Sequence, residues 1–148
     1  MKKFARIIGT GSYLPPKVVT NIDLEKTLDT SDEWITSRTG IKERRIVTDE
    51  STCDLAYEAC KNALKMAEMD PSEIDLIILA TTTPDKIFPA TATMLQNRLG
   101  ATCPAFDLQA VCAGFVFALT TAQQYIENSK AKNILVVGSE IMSKIVDW

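Results

Sequence analysis

The stretch Ala113-Gly-Phe-Val-Phe-Ala-Leu119 limits the possible folds of this chain more than any other. It opens a segment that reads as helix from Ala113 to Asn128, and its opening turns are apolar on every side. A helix apolar all round must be buried all round. In an ordinary layered α/β domain the outer helices keep one polar face. This helix therefore calls for a second packing partner beyond its own sheet. No other segment of the 148 residues reads as available to supply one.

The rest of the chain reads as strands alternating with helices from residue 52 onward. Thr52 to Met69 is a helix with Ala56, Ala59, Cys60, Ala63, Leu64 and Ala67 on one face. Cys60 there reads as core. Asp75-Leu-Ile-Ile-Leu-Ala80 is apolar without alternation, as a strand buried on both faces is. Pro89 to Leu99 is a helix closed by Gly100, Pro104 to Leu108 a short strand, and Asn133 to Gly138 another buried strand. Such alternation predicts a parallel α/β sheet with right-handed crossovers. Upstream, Phe4 to Ile8 reads as a strand, Asn21 to Leu28 as a short helix, and Ile41 to Val47 as extended chain. Thr30-Ser-Asp-Glu33 matches a capping box, which predicts a helix over Ser31 to Arg38 with Gly40 as its stop. No repeat, low-complexity tract or linker interrupts residues 1–148.

The net charge of −3 offers no electrostatic case for nucleic acid or a membrane surface. Arg38, Lys42, Arg44 and Arg45 form a small basic cluster that reads as a solvated strand edge. Met1-Lys-Lys-Phe-Ala-Arg-Ile-Ile-Gly9 does not read as a signal peptide, since Arg6 and Gly9 break any apolar run, and no apolar run approaches the ~20 residues that span a bilayer. A cytoplasmic location is expected, with Cys53, Cys60, Cys103 and Cys112 reduced. No C-x-x-C spacing and no histidine occur, so no metal site is expected.

Cys112 follows the strand-like run and precedes the apolar helix, which places a thiol at a helix N-terminus. Unpaired N–H groups and the helix dipole favour a thiolate there, and such thiols titrate at ~3.5–7.5 instead of ~8.5. Position alone leaves two readings open: a small buried hydrophobe or a nucleophile. The usual activating imidazole is absent from the chain. Gly9-Thr-Gly11 is a turn and not a dinucleotide loop, because Leu14 replaces the third glycine and Pro15-Pro16 follows instead of a helix. Trp34 and Arg38 stand four apart on one helix face. On residue type they are a helix anchor and a solvated cation; the alternative is an aromatic plate and a cation for a nucleotide-bearing ligand.

Several of these segments together resemble the β-ketoacyl-acyl-carrier-protein synthase III family. They are Ala110-Val-Cys-Ala-Gly-Phe115, Ile8-Gly-Thr-Gly-Ser-Tyr-Leu-Pro15, Asp29-Thr-Ser-Asp-Glu-Trp-Ile35, Arg38-Thr-Gly-Ile-Lys-Glu-Arg44 and Val136-Val-Gly-Ser139. They occur in order along nearly the whole chain.

The resemblance implies a thiolase-like α/β fold with a mostly parallel sheet. Residues 1–148 would form its N-terminal half-domain, and the complete fold would be a layered α-β-α-β-α sandwich in which the central helices of two halves pack together. It implies an acyltransferase that initiates fatty-acid synthesis. Cys112 would accept an acyl group, acetyl above all, from an acyl-CoA primer. Malonyl-acyl-carrier protein would then lose carbon dioxide and attack the acyl-cysteine, giving 3-oxoacyl-acyl-carrier protein. Trp34 would stack on the CoA adenine, with Thr30 and Arg38 on the nucleotide. Phe88 would reach across a homodimer to the partner's primer pocket. CoA enters as substrate, and no cofactor or metal is implied.

The family's catalytic His and Asn belong to its second half and have no counterpart in these 148 residues. The resemblance therefore implies a chain inactive in condensation by itself, with Trp148 in a connecting segment and the C-terminal half of the enzyme as partner. Two other readings stay open. One is another thiolase-fold acyltransferase, such as a hydroxymethylglutaryl-CoA synthase or a polyketide-type synthase. The other is a non-catalytic half-domain that serves as an interaction module.

Overall fold

A computed structural model of the chain describes residues 4–147. The readings of Met1-Lys-Lys and of Trp148 fall outside the described residues. The elements in order are β1 (Lys17–Thr20), α1 (Asn21–Glu25), α2 (Asp32–Thr39), β2 (Glu43–Ile46), α3 (Thr52–Ala67), β3 (Leu76–Ala80), α4 (Thr91–Leu99), β4 (Ala105–Leu108), α5 (Gly114–Glu127) and β5 (Ile134–Gly138).

β3 is the centre of a parallel three-stranded sheet in the order β4-β3-β5, with Ile78 opposite Phe106 on one side and Val136 on the other. All of Leu76–Ala80 is buried, which is why the run lacks alternation. Ile77 and Leu79 pack with Cys53, Ala56, Cys60 and Leu64 of α3 and with Ala92 and Leu95 of α4. Leu76, Ile78 and Ala80 face the other way, against Ala118 and Ala122 of α5. Burying side chains as large as Ile77, Ile78 and Leu79 contributes roughly 1.5–3 kcal/mol each, as an upper bound.

α5 meets the sheet with its small residues. Gly114, Ala118 and Ala122 are its buried positions, spaced four apart. A Cβ added at Gly114 would stand 3.2 Å from the Ala80 Cβ, so the helix axis lies close to β3. Val116 and Phe117 are exposed on the other side, while the partly exposed Phe115 leans over β5, where a Cβ added at Gly138 would stand 3.2 Å from its ring. The helix that the sequence marks as apolar all round thus shows one covered side and one bare side within residues 4–147.

β1 and β2 form a separate antiparallel pair, Lys17 opposite Ile46, with α1 and α2 between them in the chain. β1 is too short and too close to Pro15-Pro16 to show in the sequence pattern. Gly40 ends α2 in the left-handed region, φ 72°, and Gly100 ends α4 at φ 75°.

Several expected boundaries shift. α1 ends at Glu25, and α3 ends at Ala67. Ser31, not Thr30, caps α2: its hydroxyl accepts the Trp34 N–H at 3.1 Å, so the expected Thr30–Glu33 box does not form. The expected strand over Phe4 to Ile8 is also absent. The chain just after it, Gly9 to Ser12, docks on α3. A Cβ at Gly9 would lie 2.6 Å from the Ala63 carbonyl oxygen, and Asn62 Nδ2 donates to the Ser12 carbonyl at 3.0 Å. Gly9 and Gly11 therefore serve close approach to a helix. A cleft of 770 Å³ is left between this segment, α3, α5 and the outer edge of β5.

Candidate active site

Cys112 lies in a short 3-10 turn, Val111–Ala113, between β4 and α5. Because β3, β4 and β5 are parallel, this turn stands at the carboxyl edge of the sheet, where open α/β folds gather ligands. Val111 turns the chain there with φ 49°. The left-handed region costs a β-branched residue roughly 1–2 kcal/mol, and the Val111 side chain is exposed, so packing offsets little of that. The Cys112 side chain is exposed as well, which removes the small-buried-hydrophobe reading.

The helix ends differ in how their N–H groups are met. Thr20, Ser31 and Ser51 cap α1, α2 and α3 with their own hydroxyls. α4 lacks a local cap, but Asp107 on β4 accepts the Thr91 and Ala92 N–H groups at 2.8 and 2.7 Å. α5 has no side-chain hydrogen bond at its cap position, Ala113. The 3-10 turn meets its first N–H groups instead: that of Ala113 donates to the Ala110 carbonyl at 3.1 Å and that of Gly114 to the Val111 carbonyl.

A polar lattice holds the surrounding loops. Asp85 accepts the Thr52 and Cys53 N–H groups of α3 at 2.6 and 2.9 Å, while its own N–H donates to Thr91 Oγ1 at 3.2 Å. Ser139 Oγ donates to the Thr52 carbonyl at 2.9 Å. Glu140, just past β5, accepts the Thr82 N–H at 2.7 Å and the Thr83 hydroxyl at 2.6 Å. The loops after β3 and β5 are thereby tied together over the sheet end. None of Asp85, Asp107 or Glu140 stands in a local motif. Each acts on a residue distant in sequence, so only the fold reveals its role.

The other thiols are of a different kind. Burial pushes Cys60 up to about 12, and desolvation followed by the Asp85 charge raises Cys53. Desolvation also raises Cys103.

Trp34 and Arg38 do meet. The Arg38 guanidinium carbon lies 4.6 Å from the Trp34 ring centre, and the ring is 53% exposed, so the anchor reading does not hold for it. Thr30 is half-buried just before α2. Phe88 lies on the loop between β3 and α4, beside Ile87, with both side chains exposed. The candidate residues thus occupy two regions: Cys112 and Phe88 on loops after β4 and β3, and Thr30, Trp34 and Arg38 in the unit between β1 and β2. Among the described residues no group of His, Cys, Asp or Glu could hold a metal ion, and no helix is long and apolar enough to cross a membrane.

The family model for 3-oxoacyl-[acyl-carrier-protein (ACP)] synthase III matches residues 106–148, which contain Cys112. Over all 148 residues the chain is 68% identical to the β-ketoacyl-[acyl-carrier-protein] synthase III of Vesicomyosocius okutanii subsp. Calyptogena okutanii (strain HA), covering 47% of that protein. The crystal structure of 3-oxoacyl-[acyl-carrier-protein] synthase III from Aquifex aeolicus VF5 superposes with a TM-score of 0.93 at 56% identity, over 97% of this chain and 47% of that one. The priming β-ketosynthase of the R1128 polyketide pathway superposes with a TM-score of 0.94 at 38% identity, over 99% of this chain and 44% of that one. The chain spans about half the length of the curated relatives it matches. Motifs, sequence identity and a shared thiolase-like fold thus make this chain similar to about half the length of the 3-oxoacyl-[acyl-carrier-protein] synthase III proteins it matches.

Proposed function

We propose that residues 1–148 form the acyl-accepting half-domain of a ketosynthase that carries out the initiating condensation of fatty-acid synthesis. The observation that carries this reading is the exposed Cys112 thiol in the 3-10 turn that leads into α5. In the first step the sulfur attacks the carbonyl of an acyl-CoA thioester, with acetyl-CoA the expected primer. A bond from Cys112 sulfur to the acyl carbon forms, the bond to CoA sulfur breaks, and CoA leaves with the thiol proton. In the second step malonyl-acyl-carrier protein loses carbon dioxide. Its carbanion bonds to the acyl carbon, and Cys112 leaves and recovers a proton. The product is 3-oxoacyl-acyl-carrier protein.

Decarboxylation needs donors for the enolate charge, and the sequence contains no histidine. A second half is proposed to supply them and to cover Phe115, Val116 and Phe117, completing the layered sandwich. The bare outer side of α5 supports this, since exposed apolar patches of that kind mark interaction surfaces. Trp34 and Arg38, with Thr30 beside them, would hold the CoA nucleotide, and Phe88 would serve a homodimer contact. A cytoplasmic setting without a cofactor fits this chemistry.

The test is formation of 3-oxoacyl-acyl-carrier protein from acetyl-CoA and malonyl-acyl-carrier protein by the protein at its native length. Cys112→Ala should abolish it, and product from that variant would overturn the assignment. The R1128 superposition favours one second reading, a polyketide-priming ketosynthase with the same acyl-cysteine step. Preference for a longer primer over acetyl-CoA in the same assay would support that reading instead.

A further inference from the structure

Asn21 is nearly fully buried, at 1% exposure, and it is the hub of the unit that carries Trp34. Its Nδ2 donates to Asp32 Oδ1 at 2.7 Å, to the Ile41 carbonyl at 2.7 Å and, more weakly, to Thr36 Oγ1 at 3.3 Å. Its Oδ1 accepts from the Arg44 guanidinium, and its backbone N–H donates to the Lys42 carbonyl at 3.1 Å. One side chain thus joins α1, α2, the α2–β2 loop and β2.

The placement on α2 matters. Asp32 and Thr36 are four apart and share the face turned toward Asn21. Trp34 and Arg38 are each two residues further on, about 200° around a helix of 3.6 residues per turn. They therefore occupy the opposite face. α2 has eight residues and a single buried one, Ile35. A helix that short is marginal by itself. Its orientation depends on its polar attachments: Glu25 accepts the Asp32 N–H at its first turn, and Asn21 is the buried one that reaches both Asp32 and Thr36.

We propose that Asn21 is the positioning residue for the Trp34–Arg38 plate, and that it sets the affinity for an adenine nucleotide bearing phosphate groups without touching the ligand. This rests on the nucleotide reading of Trp34 and Arg38 given above. The charge arrangement is specific. The amide places its donors toward the Asp32 carboxylate and its acceptor toward the Arg44 cation. A carboxylate at position 21 would satisfy Arg44 but oppose Asp32.

The test uses the native-length protein and 3′,5′-ADP, the nucleotide end of CoA without its pantetheine arm. Calorimetric titration should show Asn21→Ala binding about tenfold more weakly than wild type, a difference of ~1.4 kcal/mol, with Asn21→Asp similarly impaired. The double change Asn21→Asp with Asp32→Asn exchanges amide and carboxylate and should restore part of the affinity, which general loosening of the fold would not do. In the same proteins the Trp34 indole N–H resonance should shift or broaden in the single variants and return toward its place in the double. If Asn21→Ala does not fold, Asp32→Ala at an exposed position makes the same test, with a severalfold loss expected. Affinity within twofold of wild type and an unmoved indole resonance overturn the proposal. Absence of 3′,5′-ADP binding by wild type overturns the nucleotide site itself, and the two failures are thereby told apart.

Discussion

The Arg38 guanidinium carbon stands 4.6 Å from the centre of the Trp34 ring, on the solvent side of a helix fixed from beneath by Asn21. Such a pair contributes about 0.5–1 kcal/mol at an exposed site, too little to explain a half-exposed Trp by stability. A flat aromatic face with a cation over it suits an adenine and its phosphates. Trp34→Ala should raise the KM for acetyl-CoA about tenfold while shifting the melting temperature by no more than a few degrees. Steady-state kinetics beside calorimetry checks both. An unchanged KM would reject the stacking role.

The thiols should separate by access. At neutral pH iodoacetamide should modify Cys112 first, because it is exposed, and Cys103 more slowly. Cys60, pushed up to about 12 by burial, and Cys53, raised by desolvation, should react only when the protein unfolds. Peptide mapping over time reads the order. Equal labelling of all four would contradict it.

The cap supplied to α4 from β4 should be costly to remove. Asp107→Ala leaves the Thr91 and Ala92 N–H groups without their carboxylate and should lower stability by about 1–2 kcal/mol in urea melts. Asp107→Asn keeps one acceptor and should lose less. Equal losses would show that a single retained acceptor contributes nothing without the second.

Acid should weaken the start of α3. Asp54 is held down to about 2, first by the Ser51 N–H and then by Arg98. Its folded-state value lies below the ~3.9 of an unfolded aspartate. The stabilisation is therefore complete above roughly pH 4 and lost as pH falls toward about 2. The side chain is 38% exposed, so the effect is screened to about 0.5–1 kcal/mol. Asp54→Asn should be less stable than wild type by that amount at pH 7, and the gap should close in acid. A gap independent of pH would exclude this origin.

The sheet-facing stripe of α5 admits no bulk. Ala118→Leu inserts carbon atoms where a fully buried Ala118 packs against β3 and should cost about 1–3 kcal/mol. Phe117→Ser on the opposite side should leave the stability of this half-domain within about 0.5 kcal/mol and reduce its self-association. Light scattering of residues 1–148 reads the second effect. Unchanged association would mean that the outer face of α5 is not the sticky surface.

The chain's own alternation made the central sheet legible, because Leu76–Ala80 is buried on both faces and α4 beside it carries a clear stop at Gly100. The thiol at the start of α5 was legible for the same reason: a strand, a break and an apolar helix stand in one line of sequence. Phe4 to Ile8 misled, since its apolar residues suit a strand, yet it stays exposed and outside the sheet while Gly9 and Gly11 after it dock on α3. The α2 cap was misassigned by one residue because Thr30 and Ser31 offer the same hydroxyl. Asn21, Asp85, Asp107 and Glu140 were not readable at all. Their partners lie well outside any local sequence window, and each resembles an ordinary polar surface residue until the chain is folded.

The central claim is that Cys112 is the acyl acceptor. The direct measurement is incubation of the native-length protein with labelled acetyl-CoA, a denaturing quench, and peptide mapping. The account predicts a hydroxylamine-labile acetyl group on the peptide that contains Cys112 and none on those with Cys53, Cys60 or Cys103. Label on another cysteine, or on a Cys112→Ala protein to the same extent, would contradict it.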